Sequence, residues 1–125
     1  MNIPTSLKYT QSDEWFDPAS GKMGLTDYAQ GQLSDIVFVE ILPAVGDAVE
    51  RGKTIASVES VKAAAESYAA VSGKVKAVNE ALSGQPEILN SDPYGQGWMV
   101  QVEGGAAADL MDAAAYTQYC EGRAH

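Results

Sequence analysis

Apolar and polar residues alternate along this chain in short runs separated by turn residues, and that period of two predicts a mainly β protein. Ile36 to Ile41 is rich in β-branched and aromatic residues and reads as a buried strand. Pro43 and Gly46-Asp47 then break the run with turn chemistry. Thr54 to Glu59 reads as the next strand, with Ile55, Ser57 and Glu59 on one face and Thr54, Ala56 and Val58 on the other. Ser67 to Val71 is a shorter strand. Gly73 opens another, on which Val75, Ala77 and Asn79 share a face, and Trp98 to Val102 closes the series. Near the start, Lys8 to Thr10, Glu14 to Phe16 and Lys22 to Leu25 predict a meander with a turn over Asp17 to Gly21.

Helical signals are few. Thr26 is placed to cap a short helix over Asp27 to Leu33, with Tyr28, Ala29 and Leu33 facing inward. A longer helix is predicted over about Ala107 to Glu121, after the Gly104-Gly105 link. Asp109 and Asp112 lie in its first half, where the helix dipole favours negative charge. Leu110, Ala114 and Thr117 share one flank, and Met111, Ala115 and Tyr119 the next. An internal echo is present: Gly46 to Val49 leads to Thr54 to Glu59, and Gly73 to Val75 leads to Gly97 to Glu103. Two matching halves of short strands predict a flattened two-sheet structure with a hairpin at the join, Glu59 to Ala64. The chain reads as one domain over residues 1–125, with its core at about 22–103.

Composition narrows the function. Eight Lys and Arg against 17 Asp and Glu leave a net charge of −9, which repels phosphate backbones and disfavours anionic membrane surfaces. The same charge favours a soluble monomer. The single Cys120 cannot form an internal disulfide, and one Cys with one His, His125, cannot build a Cys/His zinc site. A hydrolytic triad would depend on that terminal histidine. Met1 to Thr10 shows no targeting pattern and no apolar run is long enough to span a membrane, so the expected location is the cytoplasm, or the mitochondrial matrix for a eukaryotic chain whose presequence has been removed.

What remains for chemistry is Lys62. It lies at the join of two strand-like runs with no basic residue within eight positions, and Glu59 and Glu66 are its nearest charges. A lysine at a hairpin tip is exposed, and rigid strands below would hold its amine out for an acyl-transferring enzyme. Position alone is weak support, since most turn lysines are only solvated.

The residues around it carry a family likeness. Glu59-Ser60-Val61-Lys62-Ala63 resembles the lipoyl-attachment segment of the H protein of the glycine cleavage system. Ser12-Asp13-Glu14-Trp15 resembles that family's Ser-His-Glu-Trp, and Gly24 to Gln30 its Gly-Ile-Thr-Asp-X-Ala-Gln. Asp35 to Glu40 with Pro43 and Val45-Gly46, Val71 to Val75, Val78 to Leu82, Asn90 to Tyr94 and Gly97-Trp98 follow in family order, so the likeness runs from about Leu7 to Tyr119. Asp13 departs from it, standing where the family has His.

The resemblance implies a lipoyl/biotinyl-type barrel-sandwich hybrid with short helices and a C-terminal helix. It implies lipoate on Lys62, and recognition for lipoylation through Glu59 and Gly73, although Gly73 also reads as a plain turn glycine. Trp15 and Trp98 are expected in the core, and Tyr94 is expected to pack. The implied role is a non-catalytic carrier of the aminomethyl group of glycine. Its partners would be a glycine decarboxylase, an aminomethyltransferase, a dihydrolipoamide dehydrogenase and a lipoyl-attaching enzyme. A loaded aminomethyl arm hydrolyses in water, so a sheltering cleft is expected, and a protonated amine favours a carboxylate there. Glu14 is the first candidate and Glu66 the second, both read as surface carboxylates, with Ala29 and Leu33 as cleft wall. The alternatives are an H-like lipoyl carrier serving a sulfur-oxidising heterodisulfide-reductase-like complex or a lipoyl relay, a biotin carrier, which Val61 and Ala63 argue against, and an unmodified interaction domain. Cys120 is expected to be inert packing.

Overall fold

The computed structural model describes residues 1–123; His125 lies outside the described residues. The meander forms as expected, with β1 (Lys8–Tyr9), β2 (Glu14–Phe16) and β3 (Lys22–Leu25) paired antiparallel. Its tight turn follows from Asp17, whose carboxylate accepts the N–H of Ala19 and the hydroxyl of Ser20. Gly21 completes it at φ +82°, where an added Cβ would lie 2.2 Å from the carbonyl oxygen of Val102. Only glycine fits there.

After α1 (Asp27–Leu33), capped as expected by Thr26 Oγ1 accepting from Ala29 N, come β4 (Ile36–Ile41), β5 (Ala48–Val49), β6 (Thr54–Ser60), β7 (Ala64–Tyr68) and β8 (Gly73–Val78). Two one-turn helices follow, α2 (Ala81–Gly84) and α3 (Ile88–Ser91), then β9 (Val100–Glu103) and α4 (Ala113–Arg123). The strands form a six-stranded sheet, β1-β2-β3-β9-β8-β5, and a three-stranded sheet, β4-β6-β7. The internal echo has a structural counterpart: β5 and β8 pair with each other, while β6 and β9 are each flanked by two strands, one in either sheet.

Three apolar clusters hold this together. One joins both sheets through Phe16, Met23, Ile55, Val71, Val75 and Val100. A second packs the three-stranded sheet on the short helices through Ala29, Val39, Val58, Leu82, Leu89 and Met99. The third seats α4 on the meander through Leu7, Tyr9, Trp15, Tyr116 and Cys120. Each fully buried large apolar side chain contributes roughly 1.5–3 kcal/mol.

Several expectations need correction. β4 is a half-buried edge strand: Ile36 and Val39 are buried, but Val37 and Phe38 are exposed. β6, by contrast, keeps the predicted alternation: Ile55 packs into the first cluster and Ala56 and Val58 into the second, with a register shift against β7 between Thr54 and Ala56. β7 begins and ends earlier than Ser67 to Val71, since Ala69 to Val71 run through the core between strands. The C-terminal helix starts at Ala113, not near Ala107. Asp112 Oδ1 accepts the N–H of Ala115 at 2.8 Å and opens the helix, while Met111 is held by two backbone bonds to Tyr9. Its buried stripe is Ala113, Tyr116 and Cys120, not either predicted flank. Trp15 is core, but Trp98 is only half-buried, with Lys22 Nζ 5.0 Å from its ring centre. Tyr94 packs against Trp15 and accepts the N–H of Asp27.

Candidate functional site

Lys62 lies at the exposed tip between β6 and β7. The pairing of these strands runs down to Glu59 opposite Ala64, and Ser60 N–H then donates to the carbonyl of Ala63 at 2.7 Å. Ser60 braces the turn from inside. Its Oγ accepts the N–H of Lys62 at 3.3 Å and of Ala63 at 3.0 Å, and the residue is nearly buried. Val61 N–H donates to the carbonyl of Asp35, which ties the tip to the segment before β4. Ile55, Ala56 and Val58 anchor the base, each 0 % exposed. The result is an exposed lysine on a hairpin anchored in the core. Ser60 and Asp35 were not singled out from the sequence. The serine two residues before the lysine is a hydroxyl turn signal that marks it.

Glu59 is exposed at the shoulder of the same hairpin. Gly73 is not a turn residue: it opens β8, and an added Cβ would lie 2.6 Å from the carbonyl oxygen of Glu103 on β9. Close approach of two strands therefore accounts for this glycine.

Glu14 is not a surface carboxylate; it is 0 % exposed. Its Oε1 accepts the hydroxyls of Thr10 at 2.7 Å and Ser12 at 2.6 Å, and its Oε2 accepts the main-chain N–H of Tyr68 at 3.1 Å. The reason is local. Glu14 alternates with Trp15 inside β2, between the meander and the base of the arm hairpin, and the hydroxyls two and four residues earlier come round to meet it. Burial pushes its carboxyl up to about 7, against the opposing pull of the Ser12, Thr10 and Tyr68 hydrogen bonds. A cavity of about 620 Å³ opens beside these groups, lined by Thr10, Ser12, Gly52, Ala69, Leu110 and Tyr119, with the Arg51–Asp109 ion pair at its edge.

The remaining cleft candidates lie elsewhere. Glu66 is exposed and accepts the Thr54 hydroxyl at 2.8 Å, in a shallow hollow shared with Phe38, Glu40 and Glu59. Ala29 and Leu33 belong to the packing of α1 on the three-stranded sheet. The structure brings none of the three to Glu14.

Asp13 has a role of its own. It is left-handed, at φ +74°, and its backbone is pinned by Asp13 N–H to the Thr10 carbonyl and Thr26 N–H to the Asp13 carbonyl. Such a conformation costs a non-glycine residue about 1–3 kcal/mol, and Asp tolerates it better than most. Its carboxylate accepts from Arg123 Nη2 at 2.6 Å and Tyr116 Oη at 2.8 Å.

An exposed lysine on a braced β-hairpin, over a sandwich of two small sheets, is the architecture of a lipoyl/biotinyl-type module. The family model for the glycine cleavage H-protein matches residues 7–123. The chain is 52% identical over 117 residues to the glycine cleavage system H protein of Deinococcus deserti, covering 93% of this chain and 96% of that one. It is 48% identical over 103 residues to a probable glycine cleavage system H protein of Halobacterium salinarum, covering 82% of each. The crystal structure of an H protein from Mycobacterium marinum superposes with a TM-score of 0.84 at 34% identity, covering 98% of this chain and 100% of that one. The chain belongs to the glycine cleavage H-protein family, whose members are carrier components of the glycine cleavage system. Among the described residues, no helix is long and apolar enough to cross a membrane.

Proposed function

We propose that Lys62 carries lipoate as an amide and that the chain shuttles the aminomethyl group of glycine from the decarboxylase to the aminomethyltransferase, after which dihydrolipoamide dehydrogenase reoxidises it. The observation that carries this reading is Lys62 itself, an exposed amine on a tip braced by Ser60. Bound lipoate would supply a cyclic disulfide that takes up a carbon group with two-electron reduction and is restored by dithiol oxidation. The chain's residues supply the rest: display of the arm, and a place for its loaded end.

That place is the cavity over Glu14. Thr10 and Ser12 commit their hydroxyl protons to Glu14 Oε1, and Thr10 Oγ1 also accepts the Glu14 N–H at 3.0 Å, which leaves one lone pair on Thr10 and two on Ser12 for a donor. A primary ammonium entering the cavity meets those oxygens, with the carboxylate behind them for charge. Its approach favours the ionised form of Glu14, opposing the effect of burial. Glu14 thus acts through the hydroxyls and not by open contact. Tethering keeps the loaded end at high local concentration beside each docked partner. Recognition of the hairpin by the lipoyl-attaching enzyme is assigned to Glu59 at its shoulder, with Gly73 shaping the strand beyond.

Reconstitution tests the reading. Lipoylated protein with decarboxylase, aminomethyltransferase, folate acceptor and glycine is expected to release carbon dioxide and ammonia in step. Lipoylated protein that the decarboxylase does not load would overturn it.

A further inference from the structure

Arg123, in the last turn of α4, lies far from Lys62 in sequence yet meets the segment that carries Glu14. Its guanidinium lies over two rings, 4.4 Å from the centre of Tyr28 on α1 and 4.1 Å from that of Tyr119 on α4. From there Nη2 donates to Asp13 Oδ1 at 2.6 Å and Nη1 to Oδ2 at 3.3 Å. The ion pair is largely withdrawn from water, with side-chain exposures of 31% for Arg123 and 18% for Asp13. Tyr116 adds a second anchor to the same carboxylate, and its hydroxyl also lies 2.7 Å from that of Thr26. Two ring contacts and a two-point hydrogen bond leave the guanidinium little freedom.

The residue so held is the one before Glu14. Asp13 also fixes the Thr10 end of the turn through its own N–H. Tyr119, stacked on Arg123, lines the cavity and donates its hydroxyl proton to the carbonyl of Gln11 at 2.9 Å. Asp13 is thus bonded to Arg123, Gln11 to the Tyr119 beside Arg123, and Thr10 to Asp13. Ser12 and Glu14 are held to the turn through Thr10 and through each other.

We propose that Arg123 and Asp13 are positioning residues for the arm cavity: their clamp, closed by α4, sets the Thr10–Glu14 turn so that Glu14 engages Tyr68 and its hydroxyls face the cavity. The inference rests on the reading of that cavity as the resting place of the loaded arm. It gives α4 a function beyond covering the meander.

Two measurements test it. The first is amide hydrogen exchange in the full unmodified chain, where the Tyr68 N–H reports its bond to Glu14 directly. The second is the hydrolytic decay of aminomethyl-loaded protein with no other enzyme present. Asp13→Asn and Arg123→Met are expected to speed Tyr68 exchange about tenfold, with the amides of Val39 and Val58 unchanged as a control on global stability. Arg123→Lys, which keeps the charge and loses the fork, is expected to fall between wild type and Arg123→Met. Decay of the loaded form is expected to quicken several-fold in Asp13→Asn, and adding Glu14→Gln to it is expected to bring little more. Unchanged Tyr68 exchange in the folded variants, or Asp13→Asn and Glu14→Gln effects that multiply, would overturn the proposal. Failure of the underlying reading has a separate signature. Glu14→Gln alone would then leave decay at the wild-type rate while Tyr68 exchange still responds to Asp13→Asn, and the positioning role would fall with the cavity.

Discussion

Glu14 Oε2 accepts the main-chain N–H of Tyr68 at 3.1 Å, across 54 residues of sequence. This bond ties the N-terminal meander to the base of the hairpin that presents Lys62. A strand added outside the sandwich core thereby reaches the strand that leads to the arm, and it does so with a buried ionisable group.

That burial has a measurable consequence for stability. The folded Glu14 carboxyl is raised from an ordinary 4.5 to about 7 by desolvation. The folded state therefore binds this proton more tightly than the unfolded chain. Its contribution is fully present below pH 4.5 and is lost as pH rises through 7. The size is on the order of 3 kcal/mol. Denaturant unfolding is expected to show stability falling between about pH 4.5 and 8, and Glu14→Gln is expected to remove most of that slope. A wild-type slope retained in the variant would assign the titration to another group.

Ser60 makes a prediction about the tip. Ser60→Ala removes the acceptor for two main-chain N–H groups that sit near water. The expected loss is about 1 kcal/mol, since each net hydrogen bond contributes roughly 0.5–1.5 kcal/mol and exposed amides regain water. The amides of Lys62 and Ala63 are expected to exchange faster, and lipoylation to slow, with the strands below unaffected. Equal exchange rates in variant and wild type would show that the turn holds its shape without the hydroxyl.

Gly73→Ala is expected to be worse for the fold than for the arm. The new Cβ would lie 2.6 Å from the carbonyl oxygen of Glu103, so β8 and β9 must part. Overpacking of this kind costs about 1–3 kcal/mol. Thermal unfolding checks it, and a melting point equal to wild type would leave only a recognition role for this glycine.

Much of this architecture was legible in the sequence, and what was missed has physical reasons. The meander and the arm hairpin show because valine, isoleucine and glycine mark their strands and turns with a clean period. The helices α2 and α3 have one turn each and one deep anchor, Leu82 or Leu89, too little for a helical period to register. The face of α4 was misread because alanines surround it and only Tyr116 and Cys120, four apart, carry the seam. Glu14 was placed at the surface because it is charged. Yet Thr10, Ser12 and Glu14 at even spacing were the available sign that hydroxyls could pair a buried carboxylate. The Asp13–Arg123 clamp joins residues 110 apart and left no trace in local pattern.

The central claim is that Lys62 is the sole point of attachment, among six lysines in the chain. The most direct measurement is the intact mass of wild type and Lys62→Arg after each is treated with a lipoyl-attaching enzyme and lipoate. An exposed tip contributes little to stability, so the variant is expected to fold as wild type does. One lipoyl increment is expected on the wild type and none on Lys62→Arg. An increment persisting on Lys62→Arg would contradict the account.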